Sequence, residues 1–62
     1  EVLAVVAGFF KKNNFMRRTD MEEITGFNTV KALRTIRRLL DEGRLKNLGS
    51  RYQPLYVKGE AW

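Results

Sequence analysis

Positive charge is concentrated in the C-terminal half of the 62-residue chain, and it is the chemistry that these residue types most clearly offer. All seven acidic residues lie at positions 1, 20, 22, 23, 41, 42 and 60, so residues 24–40 and 43–59 contain none. Those two stretches hold eight of the twelve basic residues, namely Lys31, Arg34, Arg37, Arg38, Arg44, Lys46, Arg51 and Lys58. A solvated surface normally mixes both signs of charge. With a net charge of +5 and a pI near 10.1, this segregation indicates a polyanionic partner.

The residues that the chain lacks exclude most catalytic chemistry. Without Cys or His it has no disulfide, no thiolate metal site and no Ser-His or Cys-His nucleophile. Zinc would have to be held by carboxylates alone, which is rare. The cluster of Asp20, Glu22 and Glu23 is explained by a helix start, and no Gly-rich phosphate loop occurs. We therefore expect no enzyme activity, no catalytic residue, no metal, no cofactor and no small-molecule substrate.

Length and hydropathy limit where such a chain can act. Sixty-two residues allow one small domain. The longest apolar run, residues 2–10, is shorter than the 20 or so residues that span a membrane, and it lacks the flanks of a signal peptide. We expect an intracellular protein, cytoplasmic or in the nucleoid or nucleus, without a membrane partner. Because the chain opens on Glu1, residues 1–62 are interpreted as one module of a longer protein.

The N-terminal third predicts a helix over residues 2–12. Its apolar residues form two neighbouring stripes at helical spacing. The first contains Leu3, Val6, Ala7 and Phe10, and the second contains Val2, Val5 and Phe9. Two interpretations stay open: a central helix covered on two sides, or a second stripe that contacts a partner or a second copy.

Two more helices are predicted in the middle of the chain. Residues 15–18 are a candidate short strand, and Thr19 with Glu22 forms the T-x-x-E capping box of a short helix ended by Gly26. Asn28 is a second N-cap, and the helical period then runs over residues 29–42 until Gly43 stops it.

The remaining residues predict a β-hairpin. Residues 44–48 and 54–58 are expected to form strands joined by a loop over residues 49–53. The spacing of Leu45, Leu55 and Val57 predicts that they share one face. Residues 59–62 are interpreted as a tail, with Trp62 structural or exposed. The fold class expected is a small α+β domain of three helices and a C-terminal hairpin.

This order of elements resembles the winged helix-turn-helix family. The resemblance rests on the segments MEEITGFN at residues 21–28 and LDEGRL at residues 40–45, with Ala32, Ile36 and Leu39 between them. In that family a helix-ending Gly, an apolar residue and a capping polar residue open the recognition helix, and the hairpin forms the wing. The resemblance implies that helix 28–42 lies in the DNA major groove and that wing 44–58 lies on the backbone or in the minor groove.

Helical geometry indicates which side chains of the third helix point away from the core and can contact DNA. Ala32, Ile36, Leu39 and Leu40 form the inward stripe, which places Lys31, Arg34 and Arg38 opposite. Arg34 points outward wherever the centre of the inward stripe is placed. Leu33 can belong either to the core or to the side of the helix that faces the DNA groove. Arg37 with Asp41, and Arg38 with Glu42, are also i,i+4 ion-pair candidates. Arg34 has no acid at that spacing, so an arginine contact to a guanine edge is expected there first.

The other candidate contacts surround that helix. Asn28 and Thr29 lie at its start, where side chains and free N–H groups suit a phosphate or a base edge, although Asn28 also suits a cap. In the hairpin, Arg51 and Tyr52 are candidates for the minor groove or the sugar, and Lys46 for the phosphate backbone. With less weight, Arg17 and Arg18 precede the second helix, which often crosses the backbone.

The main hypothesis is a module that reads the sequence of double-stranded DNA, as in a transcription regulator or a replication or recombination protein. The alternative is a protein-interaction or dimerisation module that uses the Val2, Val5 and Phe9 stripe. A third interpretation follows from a similarity to Z-DNA-binding domains, with Tyr56 as the wing aromatic. Where those domains carry an Asn and a Tyr on the helix, this chain has Leu33 and Arg37, and it has a single proline, Pro54.

Overall fold

The computed structural model describes residues 2–61 and forms a small α+β domain of three helices and a two-stranded antiparallel sheet. The elements in chain order are α1 (Val2–Lys12), α2 (Arg18–Thr25), α3 (Thr29–Asp41), β1 (Leu45–Asn47) and β2 (Tyr56–Lys58). The predicted helix 2–12 is confirmed, and Trp62 lies outside the described residues. In the part of the chain that the structure describes, no helix has both the length and the apolar character needed to cross a membrane.

The helices α2 and α3 are joined by a tight turn, as the sequence predicts. Gly26 ends α2 at a φ of 76°, in the left-handed region that glycine adopts most readily, and its N–H donates to the carbonyl of Glu22. Asn28 then caps α3, and Gly43 at a φ of 78° follows its last turn. The three residues predicted to mark helix ends, Gly26, Asn28 and Gly43, are thus confirmed.

The start of α2 differs from the prediction. The helix begins at Arg18, with Arg17 as the N-cap, instead of being capped by Thr19. The N–H of Arg17 donates to Oδ2 of Asp20 at 2.9 Å. Because Asp20 satisfies this earlier N–H, the helix starts before the T-x-x-E motif, and Thr19 lies within its first turn.

The hairpin strands are shorter than predicted and the face assignment was wrong. The register pairs Leu45 with Lys58, Lys46 with Val57 and Asn47 with Tyr56. Tyr56, which is 6% exposed, therefore shares the inward face with Leu45, while Val57 lies on the face of Lys46. The predicted strand 15–18 is reduced to an isolated bridge, in which Met16 and Tyr56 exchange two backbone hydrogen bonds of 2.8 and 2.9 Å.

The segment after β2 is hydrogen-bonded to the turn that follows α3. The N–H of Gly59 donates to the carbonyl of Arg44, and the N–H of Ala61 donates to that of Gly43. Residues 59–61 are thus hydrogen-bonded to the rest of the fold, whereas the sequence predicted a tail.

The core lies between α3, α2, the bridge and the hairpin. Its buried side chains are Val6, Met16, Met21, Ala32, Ile36, Leu39, Leu45 and Tyr56. Helix α1 contributes only Val6 as a fully buried residue, with Val2, Leu3, Phe9 and Phe10 packed partly against the cluster. The second stripe of α1 is therefore covered at Val2 and Phe9 and open at Val5, so the expectation of a helix covered on two sides holds only in part.

Candidate nucleic-acid interface

The outer face of α3 carries three exposed cations around one shallow depression. Lys31, Arg34 and Arg38 line a space of about 460 Å³ together with Asn28, Val30 and Thr35. The buried Ala32, Ile36 and Leu39 occupy the opposite side of the helix, so the amphipathic pattern holds these cations toward solvent. The structure thus brings four of the predicted site residues, Asn28, Lys31, Arg34 and Arg38, to one surface.

The start of α3 is fixed by local interactions. The side-chain Oδ1 of Asn28 accepts the N–H of Lys31 at 2.9 Å, which confirms the predicted cap. The Nζ of Lys31 lies 4.4 Å from the ring centroid of Phe27, a distance at which a cation is attracted by the aromatic face. Thr29 is exposed as the first residue of the helix. The amide group of Asn28 therefore keeps its NH₂ donors for an acceptor outside the helix.

Ion pairing leaves most of this charge uncompensated. Within residues 2–61, neither Arg34 nor Arg37 has a carboxylate within 4.0 Å, so the proposed Arg37–Asp41 pair does not form. The Arg38–Glu42 pair does form, with its Nε and Oε2 atoms 4.0 Å apart, but Glu42 lies closer to Arg44 at 3.1 Å. An exposed pair contributes at most about 1 kcal/mol, so Arg38 remains able to exchange its partner.

The hairpin places its candidate residues on a separate part of the surface. Lys46 is exposed on β1 opposite Val57, and Arg51 and Tyr52 are exposed in the loop over residues 48–55. Lys58 is exposed on β2. None of these side chains lines the depression of α3 described above.

A second and larger space separates the hairpin loop from the helices. This groove of about 650 Å³ is lined by the α2 start, by Leu33 and by the loop. Leu33 is 46% exposed and lines this space, so it is not part of the core. The groove also contains Arg17 and Arg18, which the sequence ranked low. The sequence placed both residues just before the predicted second helix, but only the packing of the loop shows that they line this groove.

The two spaces lie on adjacent sides of α3. Leu33 and Arg34 are consecutive, and consecutive residues are separated by about 100° around a helix. The hairpin loop therefore lies to one side of the cationic face and not behind the molecule. Arg37 projects between Leu33 and Arg34 and lines neither space.

Two other sequence-based interpretations lose support. The wing aromatic of the Z-DNA interpretation, Tyr56, is 6% exposed and belongs to the core, so little of its ring reaches the surface. The interaction stripe on α1 is reduced to Val5, which is 37% exposed, because Val2 and Phe9 pack against the core.

Comparisons with known proteins add no homologue to these observations. No protein-family model matches the chain, and no curated protein or solved structure shows significant similarity to it.

Proposed function

We propose that this α+β domain is a winged helix-turn-helix module that binds double-stranded DNA in a sequence-reading manner, as a transcription regulator or a replication or recombination protein does. In this proposal residues 28–42 form the recognition helix and residues 44–58 form the wing. The single observation that carries it is the exposed cationic face of α3, where Lys31, Arg34 and Arg38 surround one depression next to a capped helix start.

The dimensions of α3 support this docking. A helix of 13 residues is roughly 20 Å long at 1.5 Å per residue, and the major groove of B-DNA is about 12 Å wide. In this geometry Arg34 donates two hydrogen bonds to a guanine edge, while Lys31 and Arg38 approach the flanking phosphates. The free NH₂ group of Asn28 meets a base or phosphate at the helix start.

The hairpin would contribute charge without base reading. Lys46 and Arg51 are exposed, so they can approach the phosphate backbone or the minor groove beside the helix. One module of this size covers little DNA, so high specificity would require a second copy or a tethered neighbouring domain.

The test compares Arg34→Ala with Arg34→Lys in fluorescence anisotropy titrations against a set of short duplexes of different sequence. We expect Arg34→Ala to abolish the preference among duplexes, a loss of about 1–3 kcal/mol at the preferred site. Arg34→Lys should keep most of the affinity for all duplexes but lose much of the preference, because an ammonium lacks the planar double donor.

The matched control is Lys11→Ala, which removes one positive charge from the exposed end of α1. It should leave the order of preference unchanged. The proposal is wrong if Arg34→Ala and Lys11→Ala weaken binding equally at every sequence.

A further inference from the structure

The groove between the α2 start and the hairpin loop has properties that duplex binding by α3 does not use. Its walls are Arg17, Arg18 and Thr19 on one side, Leu33 at the base, and residues of the loop on the other side. No residue is shared with the cationic depression of α3. At about 650 Å³ it is within the size range of sites that accept small ligands.

The loop that forms the outer wall is held in one conformation by its own hydrogen bonds. Oδ1 of Asn47 accepts from the N–H of Gly49 at 2.8 Å and of Leu55 at 3.1 Å. Oγ of Ser50 accepts from the N–H groups of Tyr52 and Gln53. A Cβ at Gly49 would collide with the backbone of Gln53, so the chain folds back closely here.

This fixed loop exposes an aromatic ring. Tyr52 is 88% exposed, the highest value among the large hydrophobic side chains of residues 2–61. It lines the groove together with Leu33, Pro54 and Leu55, which supply an apolar surface. A flat aromatic ring beside an apolar surface suits the face of a nucleobase, and such stacking tolerates any base.

The opposite wall is positive. Among the described residues that line the groove there is no Asp or Glu. Of the nearby carboxylates, Asp20 accepts the N–H of Arg17, and Glu22 pairs with Arg18 at 3.1 Å, so the charge of Arg18 is compensated. The guanidinium of Arg17 has no ion pair within residues 2–61, so it is available to a phosphate.

We propose that this groove binds an unpaired nucleotide of a DNA strand, with its base against Tyr52 and the apolar surface and its phosphate at Arg17. The site goes beyond the duplex interface of α3, and it gives the domain a preference for duplexes that carry a single-stranded extension. The strand continues from the duplex on α3 past Leu33 into the groove, because the two sites lie on adjacent sides of that helix.

The experiment measures the affinity of the chain for a short blunt duplex and for the same duplex with a thymidine overhang, by anisotropy of a label at the opposite end. The overhang should strengthen binding by roughly fivefold or more, which is the lower range for stacking one base on an aromatic side chain. Tyr52→Ala should remove this advantage, and Tyr52→Phe, which keeps the ring, should retain it. Arg17→Ala should reduce the advantage, and Lys11→Ala should not alter it.

Loss of folding does not complicate the Tyr52 variants. Tyr52 is exposed, and its bond to Ser50 uses the backbone N–H, which alanine also supplies. The inference is overturned if the wild-type chain binds both duplexes equally, or if Tyr52→Ala keeps the overhang advantage.

The outcome is separable from that of the proposed function. If blunt duplexes do not bind but a thymidine single strand binds in a Tyr52-dependent way, duplex reading by α3 is wrong and the groove stands. If Arg34→Ala lowers blunt-duplex binding but the wild-type chain binds the blunt duplex and the overhang duplex equally, the groove inference is wrong and the duplex interface on α3 stands.

Discussion

Asn28 has an observed role as a helix cap and a proposed role in DNA contact, which would use different atoms of one side-chain amide. Its Oδ1 accepts the N–H of Lys31, and the residue lines the cationic depression where DNA is proposed to bind. Replacing Asn28 with Ala should lower the free energy of unfolding by about 1 kcal/mol, the usual cost of losing such a cap. Thermal unfolding followed by circular dichroism measures this, with Asn14→Ala as the control.

The substitution Asn28→Asp separates the two roles. Aspartate is an equally good N-cap, and its charge is favourable near a helix N-terminus, so the stability should be retained. The same charge would repel a phosphate on the DNA-facing surface, so duplex affinity should fall. If Asn28→Asp binds duplex DNA as well as the original chain does, the start of α3 does not face the nucleic acid.

Most single residues with a local role were predictable, although the Thr19 cap, which is equally local, was wrong. Asn28, Gly26 and Gly43 mark helix ends through hydrogen bonds or backbone angles within a few residues, and the sequence placed each correctly. Leu33 was left undecided because its neighbours along the helix do not settle it. Its exposure to the groove depends on the hairpin loop, which is distant in the sequence.

At the level of elements, two glycines should respond in opposite ways to the same change. A Cβ on Gly59 would collide with the carbonyl group of Gly43, where the end of β2 is bonded to the turn after α3. Gly59→Ala should therefore destabilise the domain by about 1–3 kcal/mol, as overpacking usually does. Gly8 lies within α1 with open space around it, so Gly8→Ala should stabilise by about 0.5–1 kcal/mol.

Chemical denaturation of both variants provides the measurement. The result would contradict the packing of residues 59–61 against residues 43–44 if Gly59→Ala were as stable as the original chain. Both variants replace glycine with alanine. A difference between their free energies of unfolding therefore reflects the surroundings of each glycine and not the intrinsic preference of alanine.

The hairpin shows why elements were harder to predict than helix ends. Alternation along the strand gave two possible faces for residues 55–57, and the sequence favoured the wrong one. The choice is made by Met16, which is forty residues earlier and pairs with Tyr56 through two backbone hydrogen bonds. A strand contact over that separation leaves no local signal, since either register satisfies the alternation.

The size of the whole domain limits how much of its charged surface can face one duplex. The extents of 24 × 24 × 20 Å make the domain about as wide as α3 is long. A body of this size can present one helix face and one loop to a duplex, and little more. The sequence predicted which cations belong to α3 and which to the hairpin, but not whether the two groups line one surface, because that depends on tertiary packing.

The division of charge gives a prediction for the salt dependence of duplex binding. Each phosphate neutralised on B-DNA adds about 0.9 to the slope of log K against log salt concentration. If the six cations Lys31, Arg34, Arg37, Arg38, Lys46 and Arg51 all met phosphates, the slope would be about −5, and base contacts by Arg34 make it shallower. We expect a slope of about −3 to −5, reduced by about 1 in Arg51→Ala, with all sequences weakened alike. Anisotropy titrations over a range of NaCl concentrations measure this, and a flat slope would show that phosphate neutralisation does not drive binding.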